Sequence, residues 1–135
     1  ITDVTSVPHG EAELTIYPPV GESSANELGL SVLCSLGNFD TLITGDMDAR
    51  TETKLVSAYT LPDIEVLVVG HHGSKYSTGT ALLKAVTPEI GVVSVGDNSY
   101  GHPTDEALMR LTDENIRVYR TDMQGNILIT AGGED

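Results

Sequence analysis

Short apolar runs, separated by glycine, proline and small polar residues, recur along the whole chain. Some runs alternate with polar residues, as in half-exposed strands, and others are nearly continuous, as in strands covered on both faces. Gly37 and Asn38 lie between two of these runs and predict the turn of a hairpin. The predicted strands are Glu11–Tyr17, Leu30–Leu36, Phe39–Thr44, Glu65–Val69, Ile90–Val95, Ile116–Tyr119 and Asn126–Thr130.

Three segments between these strands have helical character. The last one has Thr104 in the N-cap position, two acidic residues in its first turn, and Leu108 and Leu111 on the face predicted to point inward. A hairpin followed by alternating helices and strands predicts one α/β domain with a mixed sheet. The predicted helices are Arg50–Tyr59, Thr80–Val86 and Thr104–Asn115.

The net negative charge limits the partners that this chain can attract electrostatically. The 135 residues include 20 acidic and 7 basic side chains, which gives a net charge of −13. Binding to nucleic acid therefore requires a local positive charge, and a divalent metal ion is the obvious source. With no Trp and one Phe, aromatic platforms for single strands are not expected. No apolar run is long enough to span a membrane, and the lone Cys34 cannot form an internal disulfide.

Two polar clusters directly follow predicted strands. Asp46, in the sequence TGD, can bridge two metal ions, or it can cap the next helix or form a turn with Asp48. The sequence HHGS places His71 and His72 at the end of a buried strand. Imidazole is both a common metal ligand and the usual acid–base group, whereas the alternative interpretation is a polar loop. Ser74 is not expected to be a nucleophile, because no G-x-S-x-G elbow is present.

A third cluster, YGHP, places His102 just before a predicted helix. At that position the imidazole can contact a substrate, or it can simply belong to the entry of the helix. His9, Lys75 and Asp97 are weaker candidates, for which exposed loop or turn positions are the simpler interpretation.

Four motifs in the same order support a family assignment. The segments LITGDMD, VLVVGHHGSKYST, VVSVGDNSYGHPTDEALMRL and VYRTDMQGNILI resemble the second half of the metallo-β-lactamase-fold hydrolase domain of ComEC-type competence proteins, which take up DNA. The resemblance extends from about Asn26 to Ile129. It implies half of a four-layer αββα sandwich, with a mixed sheet and helices on one side.

The resemblance also implies a role for each candidate residue. Asp46 matches the aspartate that bridges the metal ions, and His71 matches a ligand of the second ion. His72 corresponds to a neighbour that contacts the substrate phosphate, Ser74 to a residue that supports the loop, and His102 to a histidine near the site. The implied cofactor is a pair of divalent ions, Zn or Mn.

One family motif, His-x-His-x-Asp-His, is absent from these 135 residues. The chain is therefore expected to be the C-terminal lobe of a larger domain, with the other lobe as its main partner. Catalytic zinc normally has three protein ligands, so two ligands predict weak metal binding and no activity by this chain alone. The sheet face that the missing lobe would cover is expected to be apolar and able to form a homodimer.

The implied function is a metal-dependent phosphodiesterase or nuclease that acts on single-stranded or double-stranded DNA during uptake. Two alternatives remain: a hydrolase for small esters such as phosphocholine compounds, and a non-catalytic interaction lobe. The resemblance also implies a soluble domain on the extracytoplasmic face of the membrane, within a polytopic membrane protein.

Overall fold

A computed structural model of the chain describes residues 2–131. Seven strands form one sheet and are arranged side by side in chain order. The strands are β1 (Thr5–His9), β2 (Ala12–Tyr17), β3 (Ser31–Leu36), β4 (Phe39–Ile43), β5 (Val66–Val68), β6 (Ile90–Val93) and β7 (Arg117–Arg120). The helices are α1 (Ala49–Ala58), α2 (Thr80–Val86), α3 (Asp105–Asp113) and the single turn α4 (Thr121–Gln124).

The sheet changes from antiparallel to parallel at β4. The pairs from β1 to β4 are antiparallel, whereas β4, β5, β6 and β7 run parallel and are connected through α1, α2 and α3. Parallel strands bring their carboxyl ends to one edge of the sheet, where ligands usually bind in open α/β sheets. The three polar clusters follow β4, β5 and β6, so the topology brings them to this edge.

The buried core lies between one face of the sheet and the helices. Leu33, Leu42 and Leu67 are register partners on β3, β4 and β5, and all three are at most 6% exposed. They belong to the same apolar cluster as Leu55 of α1 and Leu111 of α3. The structure therefore confirms an α/β fold with a mixed sheet and with its main helices packed on one side.

The opposite face of the sheet is also apolar. Consecutive register partners across six strands form one row, and each of them is half-buried or exposed. Within residues 2–131, none of them belongs to the cluster on the helix side. The row therefore offers a surface that a second layer can cover. Its members are Ile16, Val32, Ile43, Val68, Val92 and Tyr119.

Most predicted elements are confirmed to within two residues, and the two ends of the chain contain the errors. The sequence did not predict the strand β1, which places His9 on an edge strand rather than in an exposed loop. Pro8 in this strand concealed it, since proline is tolerated mainly on edge strands.

The strand predicted at Asn126–Thr130 is wrong. Its apolar residues form a continuous run at 127–129, but the segment is not a strand and follows the helical turn α4. A short apolar run forms a strand only when a neighbouring strand is available for hydrogen bonding, and Leu128 is instead 87% exposed. Among residues 2–131, no helix combines the length and the apolar character that crossing a membrane requires.

The two faces of the sheet provide a matched test of the core. We expect Leu42→Ala to lower the free energy of unfolding by about 2–5 kcal/mol, because it leaves a cavity at a fully buried position. Ile43→Ala, one residue away on the 40% exposed side, should cost under about 1.5 kcal/mol. Urea unfolding measures both values, and equal losses would contradict the assignment of the two faces.

Candidate functional site

Asp46 lies at the carboxyl end of β4, in the connection to α1. Gly45 adopts a φ of +66°, which turns the chain so that Asp46 is exposed at the edge of the sheet. The helix cap is provided by Asp48, whose carboxylate accepts from the backbone N–H and the hydroxyl of Thr51, each at 2.8 Å. Asp46 is therefore not needed as the helix cap, and it lines a cavity.

The two histidines follow β5 in a tight turn, Gly70–Gly73, with an unusual backbone. His71 and His72 both adopt left-handed conformations, with φ of 48° and 55°. Such conformations cost roughly 1–3 kcal/mol each for residues other than glycine and persist only where the surroundings enforce them. The backbone N–H of His71 donates to the carbonyl of Gly45 at 2.9 Å, which connects this turn directly to the Asp46 segment.

The loop after this turn, Ser74–Gly79, is held by two charged side chains. The buried carboxylate of Glu52 on α1 accepts from the backbone N–H groups of Thr78 and Gly79, at 2.6 and 2.8 Å. The guanidinium of Arg110 on α3 donates to the carbonyls of Lys75, Ser77 and Thr78. Five backbone groups of one loop are thereby bonded, which fixes the loop at the edge of the sheet.

The imidazoles of His71 and His72 line different cavities. The ring Nδ1 of His72 is 2.6 Å from the carbonyl oxygen of Ser94. A carbonyl can only accept, so Nδ1 carries a proton, and in the neutral form of the ring Nε2 is the acceptor. His71 and His102 have ring centroids 5.6 Å apart, and those of His71 and His72 are 6.4 Å apart.

His102 is positioned by the loop that follows β6. The carbonyl Oδ1 of Asn98 accepts from the backbone N–H groups of Tyr100 and His102, both at 3.0 Å. Its amide Nδ2 donates to the carbonyls of Gly96 and His102, at 3.0 and 2.8 Å. Partial burial and the nearby imidazoles of His71 and His72 lower the pKa of His102, so it is mainly neutral at pH 7.

Three shallow cavities surround the histidine pair. The first, about 250 Å³, is lined by Asp46 and His71. The second, about 210 Å³, contains His72, His102 and Asp97. The third, about 430 Å³, brings His71 and His102 together with Ser74 and Lys75.

The structure thus brings Asp46, His71, Ser74 and His102 to one edge, with His72 facing the adjacent cavity. Ser74 is buried, and its hydroxyl accepts from the backbone N–H of Tyr76 at 3.2 Å, an arrangement that stabilises the loop. Sequence reasoning missed several other residues of the site. They are Ser24, Asn26 and Glu27 in the first cavity, Tyr76 and Tyr100 beside the third, and the supporting Glu52, Asn98 and Arg110.

The residues present do not fit a complete metal centre. Within residues 2–131, no group of three or more His, Cys, Asp or Glu side chains is arranged to hold an ion. Asp46 and His71 share a cavity with Glu27 and Asp48, whose carboxylates already accept hydrogen bonds from the backbone of Glu22 and Thr51. Asp46 and His71 are thus the two available donors of the kinds that divalent ions bind. Two donors fall short of the three protein ligands of a catalytic zinc site. A resident metal therefore needs ligands beyond those described.

The buried Glu52 predicts a pH dependence of stability. Burial raises the pKa of its carboxyl to about 7, although the hydrogen bonds from Gly79 and Thr78 oppose the shift. The folded state then holds a proton that the unfolded state loses above about pH 4.5, so stability falls as pH rises from about 4.5 to 7 and levels off above that. Over this pH range the free energy of unfolding falls by about 3 kcal/mol.

Glu52→Gln should remove this contribution, and the wild type should lose about 3 kcal/mol relative to the variant between pH 4.5 and 8. Urea unfolding at a series of pH values measures the difference. Glu89→Gln, at an exposed position, is the matched control. Its free energy of unfolding should change with pH in the same way as that of the wild type. A pH-independent difference between wild type and Glu52→Gln would contradict the prediction.

Position 73 requires glycine, because both the backbone conformation and the neighbouring atoms exclude a side chain. Its φ is +85°, and a Cβ at this position would lie 2.8 Å from the Cα of Pro103. Gly73→Ala should therefore lower the free energy of unfolding by about 2 kcal/mol or more. Gly96→Ala, where a Cβ meets nothing within 4 Å, is the control and should change stability by under about 0.5 kcal/mol. Equal effects in thermal unfolding would show that the Gly73 turn is not tightly packed.

Comparison with known proteins identifies related sequences. The chain is 35% identical over 106 residues to ComE operon protein 3 of Bacillus subtilis, an alignment that covers 78% of this chain and 14% of that protein. It is 40% identical over 99 residues to competence protein ComA of Neisseria gonorrhoeae, covering 71% and 14%. Recombination protein 2 of Haemophilus influenzae is 36% identical over 99 residues, covering 73% and 12%. The chain thus spans about one seventh of each relative. No family model matches it.

The fold has related solved structures. CmlA, a diiron β-hydroxylase from Streptomyces venezuelae, superposes with a TM-score of 0.60 at 14% identity, covering 89% of this chain and 32% of that one. Its E377D mutant gives a TM-score of 0.53 at 13% identity. At this identity the similarity concerns the fold alone, and that fold is the metallo-β-lactamase fold. Together with the sequence relatives, it shows that the chain belongs to the ComEC family of competence proteins and has the metallo-β-lactamase architecture.

Proposed function

We propose that this chain forms one side of a hydrolase site that cleaves phosphodiester bonds of DNA in a ComEC-type competence protein, on the extracytoplasmic side of the membrane. The main support is the cavity that Asp46 and His71 share. These residues follow the adjacent parallel strands β4 and β5, and the hydrogen bond from His71 to Gly45 connects their segments. Carboxylates and imidazoles can both bind divalent ions and can both transfer protons.

The same edge also offers hydrogen-bond donors and the positive charge of Lys75, with which an acidic chain can approach phosphate. His71, His72 and His102 lie around the same edge, and Lys75 lies in the third cavity. Imidazole N–H groups and an ammonium can donate hydrogen bonds to phosphate oxygens. His72, with its proton fixed on Nδ1, offers Nε2 as a proton acceptor toward the second cavity. We assign to Ser74 the support of the loop rather than the attack on substrate.

The dependence on Zn or Mn belongs to the same proposal. Because the described residues offer two donors in the first cavity, the remaining ligands have to come from another part of the protein. The half-exposed apolar row on the second sheet face offers a contact surface for a second lobe that carries those ligands. Without the second lobe, two copies of this chain would pair through the same sheet face.

A non-catalytic interaction lobe is the second candidate function. The absence of a three-ligand group within residues 2–131 favours it directly. The two candidates differ in what Asp46 does, because an interaction lobe has no need for a carboxylate at a strand end beside a histidine. Substitution of Asp46 in the complete gene product therefore separates them.

Hydrolysis of a labelled oligonucleotide by the complete gene product, with Mn²⁺ or Zn²⁺ added, tests the proposal. Asp46→Asn and His71→Ala should each reduce the rate at least about 100-fold, since even the groups that only orient metal ligands are worth 10–100-fold. His9→Ala, on the exposed edge strand, should leave the rate unchanged. The 135-residue chain alone should show no cleavage.

Full activity of Asp46→Asn would eliminate Asp46 as a site residue. A complete gene product that cleaves no oligonucleotide but retains its competence role would favour the interaction lobe. Hydrolysis of a phosphocholine ester without cleavage of DNA would instead favour the small-ester alternative.

A further inference from the structure

Tyr100 presents an exposed aromatic ring beside the candidate site. The side chain is 81% exposed, and its ring stacks on that of His102, with centroids 5.8 Å apart and an interplanar angle of 29°. The expectation that the chain lacks stacking platforms considered only Trp and Phe, whereas the sequence has five tyrosines. Tyr76, 66% exposed, borders the same third cavity.

The backbone that carries Tyr100 is fixed by one side chain. Asn98 bonds to the N–H groups of Tyr100 and His102 and to the carbonyls of Gly96 and His102, which occupies both ends of its amide. An exposed loop is normally mobile, so these four bonds reduce the entropy that a ligand would otherwise have to remove. The stacked pair is therefore organised before any ligand arrives.

The surroundings favour a planar ligand that carries a negative charge. The cavity of about 430 Å³ next to the stack is lined by Tyr76 and Tyr100 and by His71, His102 and Lys75. The Nζ of Lys75 lies 5.1 Å from the ring centroid of Tyr76, so one aromatic face is already covered by a cation. Tyr100 has its ring uncovered on the side away from His102, and Glu106 is the acidic side chain of this cavity.

We propose that Tyr100 is a specificity-determining residue, on which an unpaired nucleobase of the substrate stacks while the adjacent phosphate lies toward His71 and Lys75. The inference rests on the proposed function, since it names the form of nucleic acid that this site takes. A base within a duplex is already stacked on both faces, so only an unpaired or terminal nucleotide can use the ring. Asn98 is the positioning residue of this subsite.

Binding without hydrolysis tests the subsite separately from the catalytic proposal. The 135-residue chain, free of metal, is titrated with a thymidine trinucleotide and with an abasic trinucleotide of the same charge, and the Tyr100 ring is followed by NMR. We expect the trinucleotide with bases to bind at least about 5-fold more tightly, because stacking on one aromatic ring is worth about 1–3 kcal/mol. A short duplex should bind no better than the abasic trinucleotide.

Variants distinguish stacking from simple charge attraction. Tyr100→Ala should weaken binding of the thymidine trinucleotide at least about 5-fold, and Tyr100→Phe should restore it, because the ring rather than the hydroxyl forms the stack. Asn98→Ala should also weaken binding while the Tyr100 ring remains present. Met123→Ala, another exposed apolar side chain, is the control and should leave binding unchanged.

Equal binding of the two trinucleotides, unchanged binding by Tyr100→Ala, or no binding at all would overturn the subsite. If stacking is observed but the complete gene product cleaves nothing, only the hydrolase proposal fails. If cleavage depends on Asp46 and Tyr100→Ala leaves the KM for single strands unchanged, only the subsite fails.

Discussion

The geometry of the candidate site depends on one constraint, the fixed backbone from Gly70 to Gly79. His71, His72 and Thr78 all have positive φ in this short segment. Glu52 on α1 bonds to its N–H groups, and Arg110 on α3 bonds to its carbonyls. Both side chains come from helices that pack on the core, so the packed core also holds the histidines in place. The strained turn is thus a consequence of the packing around it.

The same constraint explains why two adjacent histidines can have different tasks. In an extended strand, neighbouring side chains point to opposite faces, whereas in this turn the left-handed backbone directs His71 toward the cavity of Asp46 and leaves His72 at the next one. The Ser94 carbonyl then fixes the tautomer of His72. A metal ligand and a proton acceptor would benefit from such separation, and the family membership makes that division of roles a natural proposal.

The sequence predicted the parallel half of the sheet well because nearly continuous apolar runs, helix caps and turn residues all indicated the same arrangement there. Thr104 is an example, since its side chain caps α3 as its position indicated. The sequence could also place Asp46, His71 and His102 at strand ends. It could not show that Asp48 rather than Asp46 caps α1, nor that Asn98 organises the His102 loop, because these roles depend on contacts that a linear pattern does not record. Pro8 concealed the edge strand β1, and the apolar run after Gly125 has no partner strand.

The cavity with two available donors and the apolar second face both support the proposal that residues outside this chain complete the site. A crystal structure of the complete gene product soaked in Mn²⁺ tests this claim most directly, since the anomalous signal of manganese locates each ion. We expect a peak within coordination distance of Asp46 and His71, with further ligands from another lobe packed on the row that includes Ile43. Manganese peaks elsewhere, with Asp46 and His71 bound to no ion and that row exposed to solvent, would contradict it.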